Sequence, residues 1–247
     1  MISPDACSAP APTRGIGHDP NTIAHRRDDP RRVACRGVPV RTVVILGMHR
    51  SGTSAVTRAL NLLGGELGDP EHIGRYWENR RLREPLDAVL AAFGGAWDCP
   101  GAMPEGWETT PEARAIVPEA RAALASLRNP EVLVWKDPRV CLEVPFWRPL
   151  LTDPVVVLIH RHPEEVAASL DTRNGFGPGL SFALWERYNH DALLGAAGLP
   201  TVVISYADLV ERPAETMRSL VDTLAGWGVR FPHDPATTDM ELRARER

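Results

Sequence analysis

A glycine-rich segment lies between an apolar run and a helical pattern near residue 50. The run Thr42 to Leu46 leads directly into residues 47–54, GMHRSGTS, and a helical pattern follows. In that context, backbone N–H groups and the helix N-terminus can bind a phosphate. The spacing matches the G-x-x-x-x-G-K-[ST] loop of nucleoside-triphosphate-binding proteins, except that Thr53 replaces the lysine. An ordinary glycine turn before a helix is the alternative interpretation.

The missing lysine argues against ATP chemistry. Without it the β- and γ-phosphates lose their usual partner, and no other strand-like run ends in an aspartate that would hold Mg²⁺. The run 155–159, for example, leads into His160 and Arg161. Arg50 supplies instead a permanent, forked cation at the loop. The segment therefore predicts an anion site that needs no metal.

Arg161 and Ser169 form a second candidate pair. Arg161 follows the apolar run 155–160, and Ser169 lies eight residues further on, in a predicted helix. Because the carboxyl ends of parallel strands lie along one edge of a sheet, Arg161 is expected on the same side as the loop. Taken alone, the pair could belong to a solvated helix face. His160 and His162 flank Arg161, but no third ligand is evident, so no metal site is predicted.

Lys136 is the third candidate. Of the 28 basic side chains in the chain, it is the one lysine, and the rest are arginines. It lies in the segment WKDPR, residues 135–139, where another apolar run ends. A compact ammonium there is suited to stabilise charge on a transferring group and on its leaving oxygen. A capping salt bridge to Asp137, with the lone lysine a matter of chance, is the alternative.

These motifs resemble the sulfotransferases that use 3'-phosphoadenosine-5'-phosphosulfate (PAPS). The segment VVILGMHRSGTS is similar to their 5'-phosphosulfate-binding loop, in the form RSGT of the bacterial and protein-tyrosine branches, and KDPR is similar to a segment of many bacterial members. The resemblance covers about residues 41–225 and is loose between 67 and 130. It implies that the 3'-phosphate is bound by Arg161 and Ser169. It implies five residues for the 5'-phosphosulfate: Arg50, Ser51, Gly52, Thr53 and Ser54.

The acceptor must lose a proton, and the resemblance makes Glu78 the candidate base. Glu78 lies in RYWEN, which is similar to an aromatic-glutamate segment of related bacterial sequences. With Lys136 and Arg50 it completes the predicted catalytic set. A solvated carboxylate at a helix start is the alternative interpretation of Glu78. Three other side chains compete for the role of base: Glu71, His72 and Asp137.

The predicted function is metal-independent, in-line transfer of a sulfuryl group from PAPS to a hydroxyl or amine acceptor. Two alternatives stay open: a metabolite kinase with a degenerate phosphate loop, and a nucleotide-binding protein without catalysis. The class of the acceptor also stays open, because carbohydrate, lipid, peptide and small natural products are all sulfated and acceptor pockets carry no readable code.

Four apolar runs predict the strands that position these motifs, at 42–46, 132–135, 155–159 and 201–204. The runs are continuous rather than alternating, which is typical of a parallel sheet covered by helices on both faces. Apolar helical faces occur at 55–63, 184–192 and 217–225. The predicted fold class is therefore α/β, with three layers and a P-loop-like parallel sheet of four to five strands.

The pattern changes along the chain predict its organisation. Residues 1–40 hold six prolines and mixed charges without apolar periodicity, and predict a disordered tail rich in proline and arginine. The domain is predicted at 41–235, followed by a polar tail at 236–247. Five prolines interrupt residues 98–130, which predict an insertion or lid on the acceptor side with one helix at about 119–128.

Charge and hydropathy limit the partners. The net charge of −4 gives no basic surplus for nucleic acid or anionic lipid. No apolar run reaches membrane-spanning length, and the first twenty residues lack the apolar segment of a signal peptide. The four cysteines are widely spaced, with no CxxC pair. We therefore expect a cytoplasmic protein with reduced cysteines and no membrane span.

Overall fold

The computed structural model describes residues 41–127 and 131–233. The tails predicted at 1–40 and 236–247 lie outside the described residues, and so do the last three residues of the 98–130 segment. Within the described ranges, no helix combines the length and the hydropathy needed to cross a bilayer.

Four parallel strands form the centre of the protein: β1 (Arg41–Leu46), β2 (Val132–Lys136), β3 (Val155–His160) and β4 (Thr201–Ser205). They lie in the order β2-β1-β3-β4. Ile45 of β1 is in register with Lys136 of β2, and Leu46 is in register with Leu158 of β3. This register brings the ends of the strands to one edge, next to the loop that follows β1.

Eight helices surround the sheet in the described residues: α1 (Thr53–Leu62), α2 (Arg80–Ala92), α3 (Pro111–Ala125), α4 (Val140–Trp147), α5 (Pro163–Asn174), α6 (Pro178–Gly195), α7 (Tyr206–Glu211) and α8 (Pro213–Gly226). Val44 and Leu46 pack on one face of the sheet, with helices α2 to α6. Val43 and Ile45 pack on the opposite face, with α1, α7 and α8. The two cores confirm the predicted three-layer α/β fold with a parallel sheet.

Strand β4 departs from the prediction that all four strands are buried on both faces. It lies at the edge of the sheet, and Val203 is 59% exposed. The apolar run identifies the strand correctly, but its place at the edge depends on the order of the strands. Similarly, Ala55 on the predicted face of α1 is exposed, and Thr57 is buried instead.

The helix predicted at about 119–128 is longer and begins earlier. Helix α3 begins at Pro111, where the Oγ1 of Thr110 accepts a hydrogen bond from the N–H of Ala113 (3.4 Å). Proline is well tolerated in the first turn, since the N–H groups there have no helical partner. Pro118 lies inside the helix without ending it. The prediction was wrong because it took each proline as a break.

Candidate active site

The backbone conformation of the loop between β1 and α1 depends on two of its glycines, Gly47 and Gly52. Gly47 has φ +151°, and a Cβ there would lie 2.8 Å from the carbonyl oxygen of Ile159. Gly52 has φ +90°, and a Cβ there would lie 2.4 Å from the ring of Tyr206. The N–H of Gly47 donates to the Sγ of Cys141 (3.1 Å). Burial raises the pKa of that thiol to about 12, so it stays protonated and anchors the loop to α4.

The loop places its polar side chains at the start of α1. Arg50 adopts a left-handed backbone conformation (φ 71°), and Thr53 is the first residue of the helix. The Oγ of Ser54 donates to the carbonyl oxygen of Tyr76 (3.1 Å). Ser51 is buried, and its Oγ has no hydrogen-bond partner within the described ranges. A buried hydroxyl without a partner is costly, so it is a candidate contact for a bound oxyanion.

The structure brings the predicted pair Arg161 and Ser169 to this loop. The Nε of Arg50 donates to the Oγ of Ser169 (2.7 Å), and the Nη1 of Arg161 donates to the carbonyl oxygen of Arg50 (2.8 Å). The guanidinium of Arg161 also lies 4.1 Å from the ring centroid of Tyr206 and pairs with Glu165 (2.8 Å). Two motifs more than 100 residues apart are therefore joined by direct hydrogen bonds.

Lys136 ends β2 and is buried, and its Nζ donates to the Oε1 of Glu78 (2.9 Å). The alternative salt bridge between Lys136 and Asp137 does not form. Asp137 instead accepts hydrogen bonds from the backbone N–H (3.0 Å) and the Nε (2.8 Å) of Arg139. Burial opposes the charge of Arg139, but Asp137 and Asp87 raise its pKa above the ordinary value. Asp137 is thus engaged by Arg139, whereas Glu78 lines a cavity at the carboxyl edge of the sheet.

A cavity of about 480 Å³ collects these residues at the carboxyl edge of the sheet. Its size is within the range typical of ligand sites. One carboxylate, Glu78, lines it against six cationic side chains: Arg50, Arg83, Lys136, Arg139, Arg161 and Arg173. Because the whole chain has a net charge of −4, this positive charge is a local property. The cavity is suited to bind a polyanion.

Of the five residues predicted for the 5'-phosphosulfate, four line the cavity: Arg50, Gly52, Thr53 and Ser54. Ser51 and Ser169 do not line it, although Ser169 contacts Arg50. The competing bases Glu71 and His72 lie in a short 3₁₀ turn, Pro70–His72, and do not line the cavity either.

Sequence reasoning missed His49. Its ring lies 4.6 Å from that of Trp97 and 5.6 Å from that of Tyr188, and its Nε2 is buried with no partner in the described part of the chain. Burial lowers the pKa of His49 well below 6.5, and nearby cations, first Arg173, lower it further. His49 is therefore neutral at pH 7. Its place in the glycine loop is visible in the sequence, but its environment is not.

Other cavity residues come from elements that the motifs did not include. Arg173 and Asn174 end α5, Trp97 follows α2, and Tyr206 begins α7. Among the residues that the structure describes, no group of three or more His, Cys, Asp or Glu side chains is arranged to hold a metal ion.

The family model of the sulfotransferase family matches residues 42–228, which is most of the chain. The chain belongs to the sulfotransferase family. The match spans all four strands of this sulfotransferase and includes the residues that line the cavity. No curated protein matches it in sequence.

Solved structures resemble the fold. A sulfotransferase from Mycobacterium avium matches with a TM-score of 0.51 and 13% identity, over 85% of this chain and 70% of that one. Two sulfotransferase domains match less closely. One is from the Synechococcus PCC 7002 olefin synthase (TM-score 0.46, 20% identity, 80% and 76% coverage). The other is from the curacin biosynthetic pathway (TM-score 0.47, 18% identity, 76% and 75% coverage). At these identities, the Mycobacterium avium structure supports the fold alone.

Proposed function

We propose that this sulfotransferase uses PAPS as its donor and transfers the sulfuryl group to a hydroxyl or amine acceptor. The observation that carries the proposal is the cavity with six cationic side chains and one carboxylate. PAPS has two separate anionic groups, the 5'-phosphosulfate and the 3'-phosphate. The cavity offers a cationic partner to each, and the two partners are hydrogen bonded to each other.

The 5'-phosphosulfate is assigned to the loop and the start of α1. Backbone N–H groups at a helix N-terminus favour an oxyanion, and α1 begins at Thr53 beside the cavity. Arg50 adds a charge, and the buried Oγ of Ser51 in the same loop has no partner among the described residues, although Ser51 does not line the cavity. Gly52 and Ser54 line the same part of the cavity.

The 3'-phosphate is assigned to Arg161 and Ser169. The hydroxyl of Ser169 accepts a hydrogen bond from Arg50, so its own O–H is free to donate to a phosphate oxygen. The contacts of Arg161 with Tyr206 and with the carbonyl oxygen of Arg50 hold its guanidinium at the cavity wall. A guanidinium held in place in advance loses less entropy when it binds a phosphate.

In the proposed reaction, the acceptor oxygen attacks the sulfur in line, and the bond from sulfur to the bridging oxygen of the donor breaks. Glu78 takes the proton of the acceptor, and adenosine 3',5'-bisphosphate leaves with the bridging electron pair. Lys136 uses one of its three N–H donors on Glu78, which leaves two for the oxygens that gain charge. Arg50 stabilises the same charge from the loop side.

The cavity also bears on the rival functions. A kinase needs carboxylates to hold Mg²⁺, whereas the one carboxylate lining this cavity is paired with Lys136. A protein that only binds nucleotide has no need of a buried lysine next to a carboxylate at the anion site.

The loop RSGT and the segment KDPR support a place in the bacterial branch of the family. We retain the proposal that residues 98–130 border the acceptor.

The donor is tested by calorimetry in EDTA with adenosine 3',5'-bisphosphate and with adenosine 5'-phosphate. The bisphosphate should bind at least about tenfold more tightly, because the second phosphate adds charge-assisted contacts. Equal affinities would contradict the assignment of Arg161 and Ser169. Radiolabelled PAPS supplied with an extract of the source cells then tests transfer, and the labelled product identifies the acceptor.

A further inference from the structure

A second, smaller cavity of about 170 Å³ adjoins the main one. The two share four lining residues, Tyr76, Glu78, Arg83 and Arg139. The smaller cavity therefore opens beside Glu78, on the side of α2. It is smaller than the roughly 300 to 1,000 Å³ of pockets that hold whole ligands. It has room for one functional group of a larger molecule.

Four guanidinium groups line this second cavity, against the single carboxylate of Glu78: Arg75, Arg80, Arg83 and Arg139. Two of them are compensated by Asp87, which pairs with Arg139 and, at a distance of 3.5 Å, with Arg83. Glu78 itself is paired with Lys136. The positive charge of the cavity is therefore not neutralised by its own wall.

Arg75 and Arg80 carry the excess charge. Arg75 lies over the ring of Tyr76, with its guanidinium carbon 5.7 Å from the ring centroid. In the described ranges 41–127 and 131–233, neither Arg75 nor Arg80 forms an ion pair with a carboxylate. Both side chains lie at the surface, so an anion from solution can reach them.

The position of Arg80 is unfavourable for the helix alone. Arg80 is the first residue of α2, and no acidic residue lies in the first turn of that helix. The N-terminus of a helix carries partial positive charge, so cations there reduce its stability. Arg81, in the same turn, adds to this repulsion. An anion bound in the cavity would reverse the unfavourable electrostatics.

We infer that this second cavity binds an anionic group of the acceptor, a carboxylate, phosphate or sulfate, while the reacting hydroxyl or amine lies at Glu78. The acceptor is then a negatively charged compound. The inference rests on the proposed function, because Glu78 locates the reacting atom. The main cavity has its own cations for the donor, namely Arg50, Lys136 and Arg161, and none of these three lines the second cavity.

The test uses the full chain saturated with adenosine 3',5'-bisphosphate, so that the two phosphate sites of the donor are filled. Inorganic sulfate, methyl phosphate and acetate are titrated separately at constant ionic strength, with binding measured by calorimetry. At least one probe should bind the wild type, and the double variant Arg75→Gln/Arg80→Gln should weaken it by about tenfold, the scale of two exposed ion pairs. The preferred probe indicates which oxyanion the acceptor carries.

Arg81→Gln is the matched control. It removes one charge from the same turn of α2, but Arg81 lines neither cavity and contacts the carbonyl oxygen of Ser126. It should leave probe binding within about twofold, the scale of a solvent-screened charge that does not contact the probe. If no probe binds the saturated wild type, or if the double variant binds as well as the wild type, the anionic acceptor is excluded.

The donor proposal fails independently. Affinity for adenosine 3',5'-bisphosphate is measured first for the wild type and each variant, and the substitutions at Arg75 and Arg80 should leave it unchanged. If the wild type does not bind the bisphosphate, the donor assignment falls, and the same probes applied to the free protein still decide whether Arg75 and Arg80 form an anion site.

Discussion

The Nζ of Lys136 lies 2.9 Å from the Oε1 of Glu78, although the two residues are 58 positions apart. The side chain of Lys136 is 1% exposed and that of Glu78 is 27% exposed. A buried ammonium without a partner is strongly unfavourable, so the ion pair with Glu78 offsets part of the cost of burying Lys136. The two candidate catalytic residues act as one unit, and a change in either alters the environment of the other.

Replacing Lys136 with alanine should slow sulfuryl transfer about a hundredfold, because in the proposed reaction the lysine meets charge that develops mainly in the transition state. Affinity for adenosine 3',5'-bisphosphate should change much less. Initial rates with labelled PAPS and calorimetry measure the two effects separately. Urea denaturation of the variant establishes that the loss of rate is not a loss of folding.

Lys136→Arg distinguishes charge from size at the same position. The guanidinium keeps the charge but is too large for a site that is closed to solvent, so the variant should recover only part of the rate. Full activity of Lys136→Arg would contradict a specific need for the ammonium and reduce the lone lysine to chance.

Replacing Glu78 with glutamine removes the basicity and keeps the shape, so turnover should fall by a factor of about 10² to 10⁴. The assay needs the acceptor found in the extract, because a nitrophenol of low pKa would not require a base. Glu71→Gln is the control, since Glu71 does not line the cavity. A rate near that of the wild type would rule out Glu78 as the base.

Arg161→Ala should weaken binding of adenosine 3',5'-bisphosphate by about 2 to 4 kcal/mol, the scale of a lost charge-assisted contact. Binding of adenosine 5'-phosphate should change little, because it lacks the 3'-phosphate that is assigned to Arg161. Calorimetry with both nucleotides measures the difference. Glu165→Gln is a second check. It removes the carboxylate that pairs with Arg161, so it should not weaken binding of the bisphosphate. Equal losses for both nucleotides would contradict the assignment.

The strands could be predicted from the sequence because their apolar runs are continuous and short. All four predicted runs lie within the observed strands, and a parallel sheet necessarily brings their ends together. Arg161 and Lys136 could therefore be placed near the glycine loop without a structure. The edge position of β4 could not be predicted, because strand order depends on crossovers that no local pattern encodes.

The remainder of the site depends on tertiary packing. His49, Trp97 and Arg173 meet at the cavity from the glycine loop, the turn after α2 and the end of α5, and no spacing relates them. The partner of Lys136 was also hidden, because Asp137 is adjacent in sequence, whereas Glu78 comes near only through the fold. Local patterns identify which residues end strands, but the choice among several carboxylates is made by packing.

The buried carboxyl group of Glu143 should make the free energy of unfolding depend on pH. It lies in α4 and is fully buried; its Oε2 accepts a hydrogen bond from the Nε1 of Trp147 (2.8 Å), and its Oε1 has no partner among the described residues. Burial raises the pKa of Glu143 well above 4.5, despite the opposing hydrogen bond from Trp147. Above pH 4.5 the unfolded chain releases this proton while the folded protein retains it. The contribution of Glu143 to stability is therefore present below that pH and is lost as the pH rises towards the folded pKa.

Glu143→Gln should remove this loss, because the amide is neutral at every pH. Near pH 4.5 the variant and the wild type should differ by less than about 1 kcal/mol, and the variant should become the more stable as the pH rises, by up to about 1.4 kcal/mol per pH unit. Urea denaturation between pH 5 and about pH 8 measures the difference. Glu119→Gln controls for the loss of a carboxylate, since Glu119 is exposed on α3. A difference between Glu143→Gln and the wild type that does not change with pH would show that Glu143 is ionised in the folded protein.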